Sequence, residues 1–406
     1  MYSLINQRDR LYYTNTRLKN LRTMIIRFVI VTVFVTTFLL TSFAQKMEVL
    51  ADHIEFGYDV AQFSEGLLRV KTLDKWGFIN ENGNWVIKPR FKDAHDFSEG
   101  LAAVKIGTKY GFINRSGNLV IAARYSYASN FSEGVAQVGF VRDQTGYIDR
   151  NGGIAFVSNE EIRCIKDECC SNGLIKVIGA GKKYGYVNQS GGLVVKPQFD
   201  RAYAFIDGLA AVGVGKKVGF INKRGNYIIS PKYDVIKRFK NGYTGVCVGN
   251  RWGIIENAAQ SEIVGPRYAD VQSFYNGRAA VQLGGKWGYI NKGGDMVISP
   301  KFNESAPFNH NLTSVCINEK WGYMDTNGNM AIQAQYKNPN RKANAFNNGM
   351  EIAFVGNRCG VINENGNFIV PPNYDCIYFS GETPGLALVM STSGGKKSYQ
   401  LVKIKI

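Results

Sequence analysis

The sequence predicts an all-β protein made of tandem units of about 34 residues, and three observations carry that expectation. Glycine (45 residues) and aromatics (24 Phe, 22 Tyr, 5 Trp) are abundant in a chain of 406. Glycine at this density argues against helices, because it costs a helix interior about 1 kcal/mol relative to alanine. An aromatic–glycine pair recurs at regular spacing, and the apolar runs around it are of strand length, bounded by turn formers. The aromatic content also excludes a disordered chain, and glycine lacks the three-residue period of collagen.

The N-terminal region comes first. Phe28 to Phe43 is uncharged and rich in Val, Ile, Phe, Leu and Thr, but shorter than the roughly 20 residues of a spanning helix. Arg27 precedes it, and Ser42-Phe43-Ala44 offers a cleavage site before Gln45, the layout of a bacterial-type export leader. Met1 or Met24 opens the protein, and an uncleaved anchor is the alternative and the only membrane attachment expected. Residues 1–44 are read as extension and leader, 45–62 as a lead-in segment, and 63–406 as the repeat array. Removing 1–44 takes six basic residues and one acid, lowering the net charge from +17 to +12.

The repeat shows as Trp76-Gly77, Tyr110-Gly111, Tyr184-Gly185, Trp252-Gly253, Trp287-Gly288 and Trp321-Gly322. Gly146, Gly219 and Gly360 hold the same place behind Thr145, Val218 and Cys359. These pairs are read as the structural repeat core. Successive glycines lie 34, 35, 39, 34, 34, 35, 34 and 38 residues apart, which gives nine units. A period of 34 also fits helical pairs, so the pattern inside each unit must decide.

Within a unit, Leu101–Val104 reads as a strand, Lys109–Asn114 as a second and Leu119–Ile121 as a third. Asn82-Gly83, Asn327-Gly328 and Asn365-Gly366 provide the positive φ of tight turns between the last two. Pro89, Pro197, Pro231, Pro266, Pro300 and Pro372 then close the third strand, since proline cannot donate to a central ladder. Phe97, Phe131, Phe205, Phe274, Phe308 and Phe346 lead the following units, one aromatic per unit for a stacked core. Three strands are few for a propeller blade of four. The expected architecture is therefore an open, curved, solenoid-like array, with Phe63–Val70 at one end and Leu386–Met390 and Gln400–Ile406 at the other as caps. A closed propeller-like ring is the alternative.

The segments Phe97-Ser-Glu-Gly-Leu-Ala-Ala-Val104, Lys75-Trp-Gly-Phe-Ile-Asn80 and Gly83-Asn-Trp-Val-Ile-Lys-Pro-Arg-Phe91 resemble the bacterial WG-containing (KWG) repeat. The resemblance covers nearly all of the chain beyond the leader. It implies tandem β-rich units in secreted or surface-facing proteins, serving as binding or assembly modules without a defined activity. The units around Gly146 and Gly322 depart by running four residues long without the proline, and the sixth has Ala258-Ala259 at its turn.

Chemistry is sought first in ladders. A basic residue precedes the aromatic–glycine position as Lys75, Lys109, Lys183, Lys217, Arg251, Lys286, Lys320 and Arg358. A second ladder is Arg90, Arg124, Lys232, Arg267 and Lys301. Rows of cations attract a polyanion. The same lysines also serve as solvated gatekeepers against edge pairing, and Glu65, Glu99, Glu133 and Asp207 offset their field. The Gly179-Ala-Gly181-Lys182-Lys183 stretch lacks the rest of a phosphate loop. Cys164, Cys169 and Cys170 make one local disulfide possible in an oxidising compartment, whereas no metal site is expected, His53, His95 and His310 being far apart in sequence. Cys359 reads as core.

No catalytic motif is present. The long non-repeating loops are 157–171, with Glu160, Glu161, Asp167 and Glu168, and 336–348. The expected function is an exported, non-catalytic module that binds a protein or a cell-envelope polymer, without a cofactor. Polysaccharide or polyanion binding through the ladder is second, and a hydrolase with acids from both long loops is third. Nucleic acid is not an expected partner, because no reader motif is present.

Overall fold

The computed structural model describes residues 47–51, 63–140, 144–159, 162–165, 170–237, 242–257, 259, 261–308, 311–337, 346, 348–379, 384–393 and 396–405. The leader and both candidate start residues lie outside the described residues.

Each unit folds as an antiparallel meander. In the second, Asp93–Ala94, Leu101–Ile106, Lys109–Asn114 and Leu119–Tyr125 are hydrogen-bonded in that order. The hairpin runs in register from Leu101↔Asn114 to Ile106↔Lys109. Its middle strands are largely buried, and the last alternates exposed and buried residues, as an outer strand must. Ten such sheets form among the described residues, eight with four strands and two with three. They are numbered here as blades: 1, Leu67–Phe91; 2, Asp93–Tyr125; 3, Tyr127–Val157; 4, Arg163–Phe199; 5, Arg201–Tyr233; 6, Val235–Tyr268; 7, Asp270–Phe302; 8, Glu304–Tyr336; 9, Met350–Tyr374.

Blade 10 joins the two ends of the chain. Cys376–Phe379, Leu386–Ser393 and Lys396–Ile404 form three strands, and Met47–Ala51 adds the fourth, with Met47 opposite Ile404 and Val49 opposite Val402. Leu386, Leu388 and Leu401 of blade 10 share a core with Phe63, Leu68, Val70 and Ile79 of the first unit. On its other side, Ile377, Ala387, Val389 and Val402 pack with Met350, Cys359 and Val361 of blade 9. The ring is therefore closed, and the protein is a ten-bladed propeller.

This corrects the expectation of an open array and its caps in favour of the closed alternative. The strand that completes most blades is two residues long, as in Asp93–Ala94 and Tyr127–Ala128, too short to leave a sequence pattern. The terminal strands find edge partners in each other, and closure removes free edges.

The recurring glycine sits where two backbones meet. The outer strand bulges opposite it: Val218 faces Tyr233 and Phe220 faces Ile229, so four residues span what two span on the partner. A Cβ on Gly219 would lie 2.5 Å from the Ile229 carbonyl oxygen and 2.7 Å from the Pro231 nitrogen. Gly77, Gly111, Gly185 and Gly288 meet the same contact at 2.5–2.6 Å. Proline thus stands in the bulge, inside the outer strand, where no ladder hydrogen bond is asked of it.

Adjacent blades are joined by the Phe-Ser-Glu-Gly loops. Ser64 donates its hydroxyl to the Phe97 carbonyl at 2.6 Å and Ser98 to that of Phe131 at 2.7 Å. The Glu65 carboxylate accepts from Gly100 N–H at 3.0 and 3.1 Å, and Glu99 from Gly134 N–H at 3.0 and 3.2 Å. Between blades, Phe97 packs on Phe78 with ring centroids 4.8 Å apart, and Phe308 on Tyr289 at 5.1 Å. Such ring pairs add about 0.5–1.5 kcal/mol each beyond area burial.

Candidate functional site

Antiparallel pairing places the hairpins between the second and third strands at one end of their blades. The Phe-Ser-Glu-Gly loops and Asn-Gly turns fall at the other. The loop end is occupied with holding itself together. Arg115 and Arg150 reach back to the carbonyls of Glu65 and Glu99 at 2.6 and 2.7 Å, and Glu133 accepts from Asn172 and Gly173 N–H at 2.8 and 2.6 Å. Of the acids expected to offset the cation ladder, Glu65, Glu99 and Glu133 are thus at the opposite end, bonded to backbone. Much of the second ladder is also engaged between blades. Arg90 and Arg124 donate to the carbonyls of Gly117 and Gly152 at 2.5 and 3.1 Å, while covering Phe91 and Tyr125 at 5.0 and 5.2 Å.

The hairpin end presents the first ladder. Each of Lys75, Lys109, Lys217, Arg251, Lys286, Lys320 and Arg358 opens the strand that precedes the outer strand of its blade. Opposite Lys109, Lys217, Arg251, Lys286 and Arg358 stand Ile106, Val214, Val248, Leu283 and Val355, which are 40–53% exposed. Cations and aliphatic side chains thus alternate around this end. The aromatic that follows each cation turns inward: Trp287 and Trp321 are buried, and Trp76, Tyr110, Tyr184 and Trp252 are half-buried against the cores.

Whether a ladder cation is neutralised depends on the residue after the aromatic that ends the outer strand. Asp200 and Asp234 occupy that junction beyond blades 4 and 5. Lys183 is bonded to Asp200, and Lys217 to Asp234 at 2.6 Å. Each aspartate also accepts the N–H of the next blade's hairpin glycine, Gly215 at 2.6 Å and Gly249 at 2.9 Å. The lysine and that N–H hold both carboxyls below the usual carboxylate range. Arg358 pairs with Asp375 at 2.6 Å in the same way. The junction residue for Lys75, Lys109, Arg251, Lys286 and Lys320 is instead Lys92, Ser126, Ala269, Asn303 or Lys337. These five cations have no acidic partner among the described residues.

Clefts also open at the junction of blades 8 and 9, whose connecting residues 338–345 lie outside the described residues. They measure 560 Å³ and 770 Å³, a size range typical of ligand pockets, and Lys320, Lys337 and Gly356 line both. The first also contains Glu304, Glu319 and Trp321. The second contains Gln335, Asn365, Asn367 and Phe368, and no acid among its described lining residues. The ladder pointed to Lys320 but not to Lys337 or the junction aspartates. Aligning the residue after each strand-ending aromatic, from Phe91 to Tyr374, is the signal that finds them.

A second polar cluster lies between blades 1 and 2. Arg69 pairs with Asp96 at 2.8 Å and donates to the Ala94 carbonyl at 3.0 Å, and Tyr110 donates to Asp93 at 2.5 Å. His95 packs on Tyr110 with ring centroids 5.8 Å apart. Burial lowers the His95 pKa below 6.5, against the opposing pull of Asp93, and burial raises that of Asp96 above 3.8. The native state therefore binds the His95 proton more weakly than the unfolded chain. Its contribution is complete above pH 6.5 and is lost as pH falls through the lower native value. Asp96 works in the opposite sense, favouring the native state as it is protonated. His95→Gln is expected to flatten stability measured by urea unfolding between pH 7 and 5; an unchanged slope would locate the titration elsewhere.

Cys164 and Cys170 are free thiols, and Cys169 lies outside the described residues. Cys164 is paired with Val177 in the short first strand of blade 4, whereas the Cys170 thiol donates to the Glu133 carboxylate at 3.3 Å across the blade 3–4 interface. Cys359 is buried in the blade 9–10 core. Glu160, Glu161, Asp167, Glu168, His53 and His310 lie outside the described residues. The described flanks of the two long loops belong to the junctions of blades 3–4 and 8–9, five blades apart around the ring.

Fold and surface together define a closed β-propeller with a cationic, partly aliphatic hairpin end. The WG containing repeat matches residues 76–110, 110–139, 184–217, 219–252, 257–287, 287–321, 321–358 and 360–390, more than half of the chain. The chain belongs to the WG-repeat family. No curated protein matches the sequence significantly. Among solved structures, BamB from Moraxella catarrhalis is similar at 9% identity and a TM-score of 0.34, over 79% of this chain and 98% of that one. Sqt1 from Saccharomyces cerevisiae is similar at 10% identity and 0.31, over 69% and 95%. The C-terminal WD40 domain of Sif2 is similar at 8% identity and 0.35, over 89% and 99%. Likenesses at this level add nothing to the strand pairing and ring closure, on which the propeller assignment rests.

Proposed function

We propose that this protein is an exported, non-catalytic interaction module whose hairpin end binds a protein or cell-envelope polymer carrying negative charge. The observation that supports it is the division of labour between the two ends. Glutamates and arginines of the loop end are spent on blade-to-blade bonds, while Lys75, Lys109, Arg251, Lys286 and Lys320 stand at the other end without acidic partners among the described residues. Exposed aliphatics between them supply apolar contact of the kind that marks binding surfaces. Export rests on the leader-like sequence before Gln45.

The test is cosedimentation with purified cell-envelope fragments over a range of salt. Binding is expected to weaken as salt screens the ladder. The Lys75→Glu, Lys109→Glu, Lys286→Glu triple variant is expected to bind at least tenfold more weakly. Salt-independent binding, or full binding by the triple variant, would remove the hairpin end from the interaction.

A further inference from the structure

We infer that Leu73, at the hairpin tip of blade 1, is an anchor for a protein partner that presents an apolar pocket rimmed by acidic side chains. This rests on the interaction-module reading and chooses between its two classes of partner.

The backbone supplies the first observation. The strands Leu67–Thr72 and Lys75–Asn80 pair as far as Thr72↔Lys75, which leaves Leu73 and Asp74 as a two-residue turn with φ of 48° and 62°. Positive φ at both positions suits glycine, asparagine or aspartate. The chain obeys that preference in its other two-residue hairpins among the described residues. Their first turn residues, all at positive φ, are Gly107, Gly215, Gly249, Gly284, Asn318 and Gly356. Blade 1 instead places leucine there, whose Cβ crowds the backbone in this region. Strain of this kind collects at binding sites, where the side chain is needed for contact.

Exposure is the second observation. Leu73 is 89% exposed, more than any other large apolar side chain among the described residues, the next being Ile154 at 62%. Packing within the fold therefore does not account for a leucine at this tip.

The surroundings specify the partner. Lys75 follows the turn directly. Beyond blade 1, Lys92 donates its backbone N–H to the Lys105 carbonyl at 3.0 Å, the bond that Asp200 and Asp234 make to Gly213 and Cys247. Blade 1 thus puts a lysine where blades 4 and 5 put the aspartate that clamps the ladder cation. Asp74 pairs with Lys71 at 3.4 Å, and Asp93 accepts the Tyr110 hydroxyl, so both acids are already engaged. Ile106, 43% exposed at the base of the blade 2 hairpin, adds aliphatic surface on the neighbouring blade. A leucine carried on a tight turn fills an apolar pocket with little left to order, and the lysines meet acids on its rim. A sugar polymer or a bare polyanion offers the lysines their counter-charge but gives the leucine no pocket.

The probe is purified cell-envelope fragments, intact or digested with a protease that is then inactivated, cosedimented with the full chain. Digestion is expected to weaken binding at least tenfold. Leu73→Gly is expected to weaken binding to intact fragments at least tenfold, while its urea midpoint equals or exceeds that of the unaltered chain, because glycine relieves the turn. Leu73→Met keeps an apolar side chain of like volume and is expected to bind within about threefold. Binding unaffected by Leu73→Gly, or a midpoint that falls with it, overturns the inference. Binding that survives digestion overturns the protein partner and leaves the module reading intact, with a polymer in its place. Failure of the unaltered chain to bind intact fragments overturns the reading itself, and the inference with it.

Discussion

Gly219→Ala is expected to destabilise the protein by about 3 kcal/mol, at the high end for overpacking a well-filled interior. The added methyl meets the Ile229 carbonyl oxygen at 2.5 Å and the Pro231 nitrogen at 2.7 Å, and both are backbone atoms that no rotamer change moves aside. Relief requires the outer strand of blade 5 to separate, pulling Ile229 and Tyr233 from the core they share with Val218 and Phe220. Gly265→Ala is the control, since its nearest neighbour is the Glu262 carboxylate at 3.5 Å, and it is expected to change stability by less than about 1 kcal/mol. Equal denaturation midpoints for the two variants would show that the bulge yields without cost.

Deleting Met47–Ala51 is expected to cost roughly 5 kcal/mol and to open the ring. The strand contributes the Met47 and Leu50 side chains to the cores on either side of blade 10, at about 1–2 kcal/mol each for partial burial. It also completes a ladder along Lys396–Ile404, where each hydrogen bond adds about 1 kcal/mol net. Hydrogen exchange reads the result locally. Protection is expected to fall first in Leu386–Ser393 and Lys396–Ile404 and then in Leu67–Thr72, while blades 4 to 7 hold. Uniform loss around the ring, or no loss at the seam, would contradict closure by this strand.

Much of each blade was legible in the sequence. Short apolar runs between turn formers located the three long strands, and the phase of Trp76, Tyr110 and Trp287 located the strand before the outer one of each blade. The ladder was also legible, because its cations repeat at one place relative to the glycine. The short first strand was not. Asp93–Ala94 is held by two residue pairs with blade 2, too few for periodicity to register. Closure was hidden for another reason: Met47 and Ile404 lie at opposite ends of the chain, and a pairing at that separation has no local signature. The blade 8–9 cleft was half-visible. Lys320 stood in the ladder, but the place of Lys337 emerged only from the aspartates that bridge the other junctions.

By itself, then, the sequence determined the unit: its strands, its turns, the glycine without room for a side chain, and a basic residue at a fixed phase. These are local properties, set by side-chain periodicity and backbone sterics within about 34 residues. Only the tertiary structure decided that ten blades close into a ring, that the loop glutamates and the ladder cations go to opposite ends, and which ladder cations meet a junction aspartate. Those outcomes depend on which blade lies against which, and a repeating sequence specifies neighbours of equal kind without saying where the last one meets the first.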